Sequence, residues 1–223
     1  MGSTASPRIK ICCMQSAAEI ALAVRYGADA VGFVSAMPSG VGPISEELIA
    51  ELIPTVPVGV ASFLLTSSRS AEAIADQVRR LAPTTVQIVD RPEAGCRAAL
   101  RRLLPATRIV QVVHVTGPEA VAVAVAAAPE ADAILLDSGN PALRVKELGG
   151  TGRTHDWTTS RRIRGAVGVP VWLAGGLTPD NVASAIQAVR PYGVDVCSGV
   201  RTAGKLDEAK VARFVEAVRE VSL

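Results

Sequence analysis

The chain alternates eight times between a short run rich in β-branched residues and a longer helical stretch. Several of the short runs are apolar almost throughout, which is typical of parallel strands covered on both faces. The predicted strands span residues 9–14, 30–35, 58–64, 85–89, 109–115, 133–137, 169–174 and 194–198. Eight such units predict an α/β protein with a closed (β/α)8 TIM barrel, because a flavodoxin-like open sheet needs only about five or six.

The predicted barrel forms a single domain. The 223 residues fit the roughly 200–250 that this fold commonly needs, and no linker or low-complexity segment divides them. We expect residues 1–8 to be a flexible leader and residues 9–223 to form the barrel.

Local signals place several helix boundaries. Amphipathic segments cover residues 17–26, 71–81, 94–104, 180–189 and 206–221. Ser45 opens the second helix, and Gly27 ends the first, where a left-handed residue is favoured. The segment Thr178-Pro179-Asp180 is expected to cap the seventh helix, with proline at its first position.

Charge and composition argue against several classes of partner. The net charge is +2 with acids and bases interspersed, which leaves no electrostatic footprint for nucleic acid or an anionic membrane. No apolar run approaches the ~18 residues of a membrane span, and the amino terminus lacks a signal-peptide core. The four cysteines form neither a disulfide framework nor a zinc pattern. We therefore expect a cytoplasmic protein without a nucleic-acid or membrane partner.

Glycines follow both the seventh and the eighth predicted strand. Gly175 and Gly176 follow the seventh, and Ser198 and Gly199 follow the eighth. Backbone N–H groups at such turns can approach an anion, and the positive end of the next helix adds to the attraction. Turn chemistry alone is the other explanation. Because barrels often bind phosphate after these two strands, we favour a phosphate site.

Two further strand ends carry reactive side chains. Asp137 ends a buried strand, so it either faces the site or organises the following loop. Cys12 ends the first strand and is either an inert small hydrophobe, as buried cysteines usually are, or a thiolate base. Cys13 should point to the opposite face, because side chains alternate along a strand. The separation of His114 and His155 does not indicate a metal site.

The chain resembles the phosphoribosylanthranilate isomerase family along essentially its whole length. Matching segments are Lys10-Ile11-Cys12, Val86-Gln87-Ile88, Leu135-Leu136-Asp137 and residues 27–34, 149–157, 173–182 and 190–200. The resemblance implies a cofactor-independent and metal-independent aldose–ketose isomerase of tryptophan biosynthesis. Such an enzyme is an intramolecular oxidoreductase that converts a phosphoribosyl amine to a 1-amino-2-ketose by an Amadori rearrangement.

The resemblance also implies roles for individual residues. Cys12 would be the general base and Asp137 the general acid, with the pKa of the base near neutral and that of the acid raised. The phosphate would bind the backbones of Gly175, Gly176, Ser198 and Gly199. Gly150, Gly152 and Asp195 would contribute to substrate binding.

Several positions depart from the family pattern. Cys13 stands where glycine is usual, Val89-Asp90 replaces His-Gly after the fourth strand, and Arg201 replaces a glutamate. The loop after the second strand, residues 35–43, has no basic residue to bind the anthranilate carboxylate. Charge-assisted hydrogen bonds contribute roughly 1.5–3 kcal/mol, so these losses indicate an altered amine. The alternative to the isomerase is a divergent paralogue that acts on, or only binds, another phosphorylated sugar or metabolite. In either case we expect a small phosphorylated ligand and a monomer or homodimer.

Overall fold

The computed structural model describes residues 6–40, 42–149 and 152–221. Its strands form a closed barrel in sequential order, in which every neighbouring pair is parallel and β1 pairs with β8. The strands are β1 (Arg8–Ile11), β2 (Ala30–Val34), β3 (Ala61–Thr66), β4 (Thr85–Ile88), β5 (Arg108–His114), β6 (Ala133–Asp137), β7 (Val171–Leu173) and β8 (Gly193–Val196). The predicted (β/α)8 TIM barrel is confirmed.

Helices connect the strands around the outside of the barrel. They are α1 (Ala17–Arg25), α2 (Glu46–Leu52), α3 (Ala71–Leu81), α4 (Cys96–Leu103), α5 (Ala120–Ala127), α6 (Trp157–Ala166), α7 (Val182–Val189) and α8 (Glu208–Arg219). A short hairpin of β9 (Arg201–Thr202) and β10 (Lys205–Leu206) precedes α8. Within the described part of the chain, no helix is both long and apolar enough to cross a membrane.

Helix boundaries follow the capping signals at most ends. The Ser45 side chain accepts a hydrogen bond from the Leu48 amide at the start of α2, and Gly27 follows α1 with a φ of +91°. The predicted cap of α7 was wrong. That helix begins at Val182, and Asn181 instead closes the preceding turn by accepting from the Thr178 amide. Thr178 O accepts from the amides of Asn181 and Val182, so a turn leads into α7 and Pro179 lies outside the helix.

Two apolar layers explain why the strands lack clean alternation. In β6, Ala133 and Leu135 pack inside the barrel, whereas Ile134 and Leu136 pack between the barrel and the helices. Because side chains alternate along a strand, Asp137 continues the inward-facing series. The carboxylate therefore lies at the carboxyl end of the barrel interior.

Strand β1 is shorter than predicted. Its pairing ends at Ile11, although the Cys12 amide still donates to Val196 O and the Met14 amide donates to Gly32 O. Between them, Cys13 adopts a left-handed conformation with a φ of +66°. The strand alternation therefore stops before Cys13, and the prediction that its side chain points away from the barrel was wrong.

Candidate active site

A pocket opens at the carboxyl ends of the strands, where this fold places its working sites. It encloses about 710 Å³, part of which is open to solvent. Predicted site residues that line it are Cys12, Asp137, Gly152, Gly175, Gly176, Asp195 and Ser198. Gly199 lines a separate depression, together with Ser198 and Thr178. Gly150 lies outside the described residues.

Cys12 is buried at the floor of the pocket. Burial raises the pKa of its thiol to about 11, and the Lys10 ammonium opposes this shift only in part. This value contradicts the near-neutral pKa expected for the base. The pocket without substrate therefore holds Cys12 as a neutral thiol at pH 7.

Lys10 is a residue of this site that sequence reasoning missed. Its side chain is fully buried, its Nζ donates to Asp195 Oδ2 at 2.6 Å, and it lies 5.2 Å from the ring centroid of Phe63. Burial alone would lower the pKa of Lys10, but the Asp195 carboxylate keeps that pKa above its usual value. The sequence did carry a signal for Lys10, because a charged residue within a buried strand is costly unless it is paired.

Asp137 is half-buried at the carboxyl end of β6. Burial raises the pKa of its carboxyl group, against the hydrogen bond from the Ser138 amide to Oδ1 at 2.7 Å and the nearby His114. The other oxygen, Oδ2, faces Gly149, where an added Cβ would collide with it. Glycine at this position lets the loop after β6 close over the carboxylate.

Glycines bring the loops after β6, β7 and β8 into close contact. Gly175 and Gly176 both have positive φ, and a Cβ at Gly176 would collide with the backbone of Arg153. A Cβ at Gly199 would collide with Leu177 O. Because these loops lie so close together, the edge of the pocket is formed largely by backbone. Backbone N–H groups at such an edge suit an anion such as phosphate.

A disulfide links Cys13 to Cys197, with the two Cα atoms 6.0 Å apart. The prediction that the cysteines form no disulfide framework was wrong for this pair. The two residues are 184 positions apart, and only the pairing of β1 with β8 brings them together. Cys12 and Cys96 are free and buried.

The opposite side of the pocket is mostly apolar. It is lined by Val34, Met37, Leu65, Val89 and Leu148. Gln87 lies among them with a buried Oε1 that lacks a hydrogen-bond partner among the described residues. Near this side, Lys146 Nζ and Asp90 Oδ2 form an ion pair at 2.5 Å. The apolar lining has the chemistry that an aromatic ring prefers, and the Gln87 Oε1 is open to a hydrogen-bond donor.

Comparison with known proteins decides the family. The model of the N-(5'-phosphoribosyl)anthranilate (PRA) isomerase family matches residues 9–217. The chain belongs to the PRA isomerase family. The PRA isomerase of Methanosarcina acetivorans is 35% identical over 225 residues, covering 95% of this chain and 93% of the relative. That of Halobacterium salinarum is 39% identical over 210 residues, covering 93% and 94%.

Solved structures of PRA isomerases share the architecture. The enzyme of Thermotoga maritima superposes with a TM-score of 0.80 at 30% identity, covering 96% of this chain and 100% of that one. A PRA isomerase in complex with reduced 1-(o-carboxyphenylamino)-1-deoxyribulose 5-phosphate gives 0.78 at 28% identity, with the same coverage. The family predicted from the sequence is confirmed.

Proposed function

We propose that the chain catalyses the PRA isomerase reaction, the Amadori rearrangement of a phosphoribosyl amine in tryptophan biosynthesis. The observation that carries the proposal is that Cys12 and Asp137 line the same pocket. The glycine-bearing loops after β7 and β8 line that pocket as well. The family's activity makes this reaction the natural use of that pair. Family membership also favours the isomerase over the alternative of a divergent paralogue.

Asp137 is suited to the first step, which opens the furanose ring. Burial raises the pKa of its carboxyl group and so favours the protonated form, whose proton passes to the ring oxygen as the bond from C1 to oxygen breaks. The amine nitrogen supplies the electron pair, so a protonated Schiff base forms at C1. The positive nitrogen then acidifies the proton on C2.

Cys12 is suited to the second step, which removes the C2 proton. The electron pair of the broken bond forms a double bond between C1 and C2 and neutralises the nitrogen. Tautomerisation then places a proton on C1 and converts the C2 hydroxyl to the ketone. The Lys10 ammonium favours the Cys12 thiolate that this step needs, against the effect of burial.

Binding of the phosphorylated substrate is assigned to the backbone-lined edge. We assign the phosphate to Gly175, Gly176, Ser198 and Gly199, supported by the glycine contacts between these loops. We assign Gly150, Gly152 and Asp195 to the rest of the substrate. The protein is proposed to act in the cytoplasm on a small molecule, as a monomer or homodimer, without a nucleic-acid partner. A reducing cytoplasm would hold Cys13 and Cys197 as thiols, so their disulfide belongs to the oxidised form of the protein.

A direct assay with phosphoribosylanthranilate, followed by fluorescence, tests the proposal. We expect turnover by the wild type, and losses in kcat of roughly 10²–10⁴-fold in Cys12→Ser and Asp137→Asn. Matched controls are Cys96→Ser, a buried free cysteine in α4, and Asp76→Asn, an exposed residue of α3. Both controls should retain activity. Full activity in either site variant would contradict the assigned roles.

Substrate comparison separates the isomerase from the alternative. Complementation of a tryptophan auxotroph that lacks the isomerase should succeed with the wild type and fail with Asp137→Asn. The assay is repeated with a phosphoribosyl amine whose aromatic ring lacks the carboxylate. A strong preference for that substrate, without complementation, would support an isomerase of an altered amine, and no turnover of either substrate would support the divergent paralogue.

A further inference from the structure

Arg201 is a buried arginine whose side chain reaches the peptide units that follow Cys12. Only 7% of its side chain is exposed, although it belongs to the short hairpin before α8. Its Nη2 donates to Cys13 O and lies 3.5 Å from Cys12 O. One guanidinium therefore contacts the carbonyl oxygens of two consecutive residues, the first of which is the proposed base.

Glu19 in α1 fixes the guanidinium in place. Arg201 Nη1 donates to Glu19 Oε1 at 2.9 Å, and Nη2 donates to Oε2 at 3.0 Å. Glu19 also accepts from the Leu206 amide at 2.9 Å and from the Gln15 amide at 3.0 Å. Partial burial would raise the pKa of Glu19, but these hydrogen bonds lower it. Bidentate pairs restrict both partners, so Arg201 is held rigidly against α1.

The backbone at Cys13 needs such support. A φ of +66° is disfavoured for a side chain other than glycine, at a cost of order 1–3 kcal/mol. The regular pairing of β1 ends at Ile11, and beyond it the amides of Cys12 and Met14 still bond to Val196 O and Gly32 O, while the disulfide holds the Cys13 side chain. The Cys12 and Cys13 carbonyl groups between these restraints are held by Arg201, so its side chain contributes to how the chain leaves β1 and where the Cys12 side chain points.

We propose that Arg201 is a positioning residue for the isomerisation, which holds the Cys12 thiol at the C2 proton through the Cys12 and Cys13 carbonyl groups. Arg201 is not one of the residues that line the pocket, so it acts through Cys12 and not on the substrate. The inference rests on the proposed function, because the C2 proton belongs to that reaction.

The variants Arg201→Met and Arg201→Lys test the proposal. In Arg201→Met we expect kcat to fall at least tenfold while KM changes less than threefold, because the phosphate loops keep their own contacts. Arg201→Lys should retain an intermediate kcat, since an ammonium can replace one of the donated hydrogen bonds. The matched control is Arg219→Met, which removes an arginine that donates to Gly27 O at the far end of α8.

A second measurement follows Cys12 directly. The alkylation rate of Cys12 by iodoacetamide at pH 9, measured by mass spectrometry with Cys96 as internal reference, should rise at least threefold in Arg201→Met. A structural role alone would change the melting temperature and both cysteines together. An unchanged kcat in Arg201→Lys and Arg201→Met would overturn the proposal, as would an unchanged ratio of Cys12 to Cys96 alkylation. If Arg201→Met does not fold, Arg201→Lys alone decides by the same two readouts.

The wild-type assay, taken together with the measurements on the variants, separates this proposal from the proposed function. A wild type that does not turn over phosphoribosylanthranilate would refute the isomerase activity, and with it the role of Arg201 in that reaction. A fully active wild type with indifferent Arg201 variants would refute only the positioning role.

Discussion

The Cys12 thiol has a titration that can be measured without substrate. Because its pKa is raised to about 11, the thiolate fraction should grow about tenfold per pH unit throughout the range below that value. We expect the rate of Cys12 alkylation in the native protein to rise tenfold from pH 7.5 to 8.5 and again to 9.5. The urea-unfolded protein serves as control and should level off near pH 9. A native plateau below pH 8 would contradict the buried neutral thiol.

His155 makes the stability of the fold depend on pH in the acidic range. Burial lowers its pKa to about 4, and its Nε2 lies 2.7 Å from Ser160 Oγ. The unfolded chain binds a proton below pH 6.5, so the stabilisation from a neutral His155 is present above pH 6.5 and is lost as the pH falls toward 4. The melting temperature of His155→Gln should therefore fall less than that of the wild type between pH 7 and 4.5. Parallel curves would show that His155 titrates normally.

Single residues differ in how far the sequence could place them. The sequence put Asp137 at the end of a buried strand but left open whether it faces the site, and the inward series of Ala133 and Leu135 now decides for the site. Cys13 could not, because its left-handed backbone and its bond to Cys197 depend on a loop geometry that no periodicity encodes. The high pKa of Cys12 also depends on burial by the assembled barrel. The sequence could therefore indicate the reactive groups but not their protonation.

At the scale of elements, the loops after β7 and β8 depend on a glycine contact. A Cβ at Gly199 would collide with Leu177 O, so Gly199→Ala must move one loop away from the other. We expect the affinity for ribose 5-phosphate, measured by calorimetry, to fall roughly tenfold to a hundredfold, as for a lost charge-assisted hydrogen bond. Gly168→Ala is the control, because Gly168 has open space around its Cα and an ordinary φ. Equal affinities in the two variants would contradict the assigned phosphate site.

The disulfide between the ends of β1 and β8 makes a redox-dependent contribution to stability. Because 184 positions separate Cys13 from Cys197, the bond constrains most of the unfolded chain. In oxidising buffer, Cys197→Ser should lower the free energy of unfolding by about 2–5 kcal/mol. With excess dithiol reductant the difference should largely vanish, and Cys96→Ser should show no such redox dependence. A difference that persists in reductant would indicate lost packing and not a lost bond.

For the whole molecule, the order of strands and helices could be predicted from the sequence. The pairing of β1 with β8, which closes the barrel, is not specified by any local sequence pattern. Eight similar units in a chain of this length leave few arrangements, because consecutive parallel strands pair through right-handed crossovers. Element ends were less predictable, as β1 and α7 illustrate, since side chains such as Asn181 override the capping signal. The contacts that join β1 to β8 form only when the barrel closes, and they include the Lys10–Asp195 pair.

That pair provides a test of how closure and site are coupled. Lys10 and Asp195 lie opposite each other in the register of β1 and β8, and both are buried. Lys10→Met leaves an uncompensated buried carboxylate, so it should lower the free energy of unfolding by about 3–5 kcal/mol in urea titrations. Lys10→Met/Asp195→Leu should regain most of that loss, because an apolar pair carries no desolvation penalty, yet it should remain inactive. Recovery of turnover in the double variant would show that the ion pair serves only the stability of the barrel. A further fall in its free energy of unfolding would show that the unpaired Asp195 charge does not cause the loss in Lys10→Met.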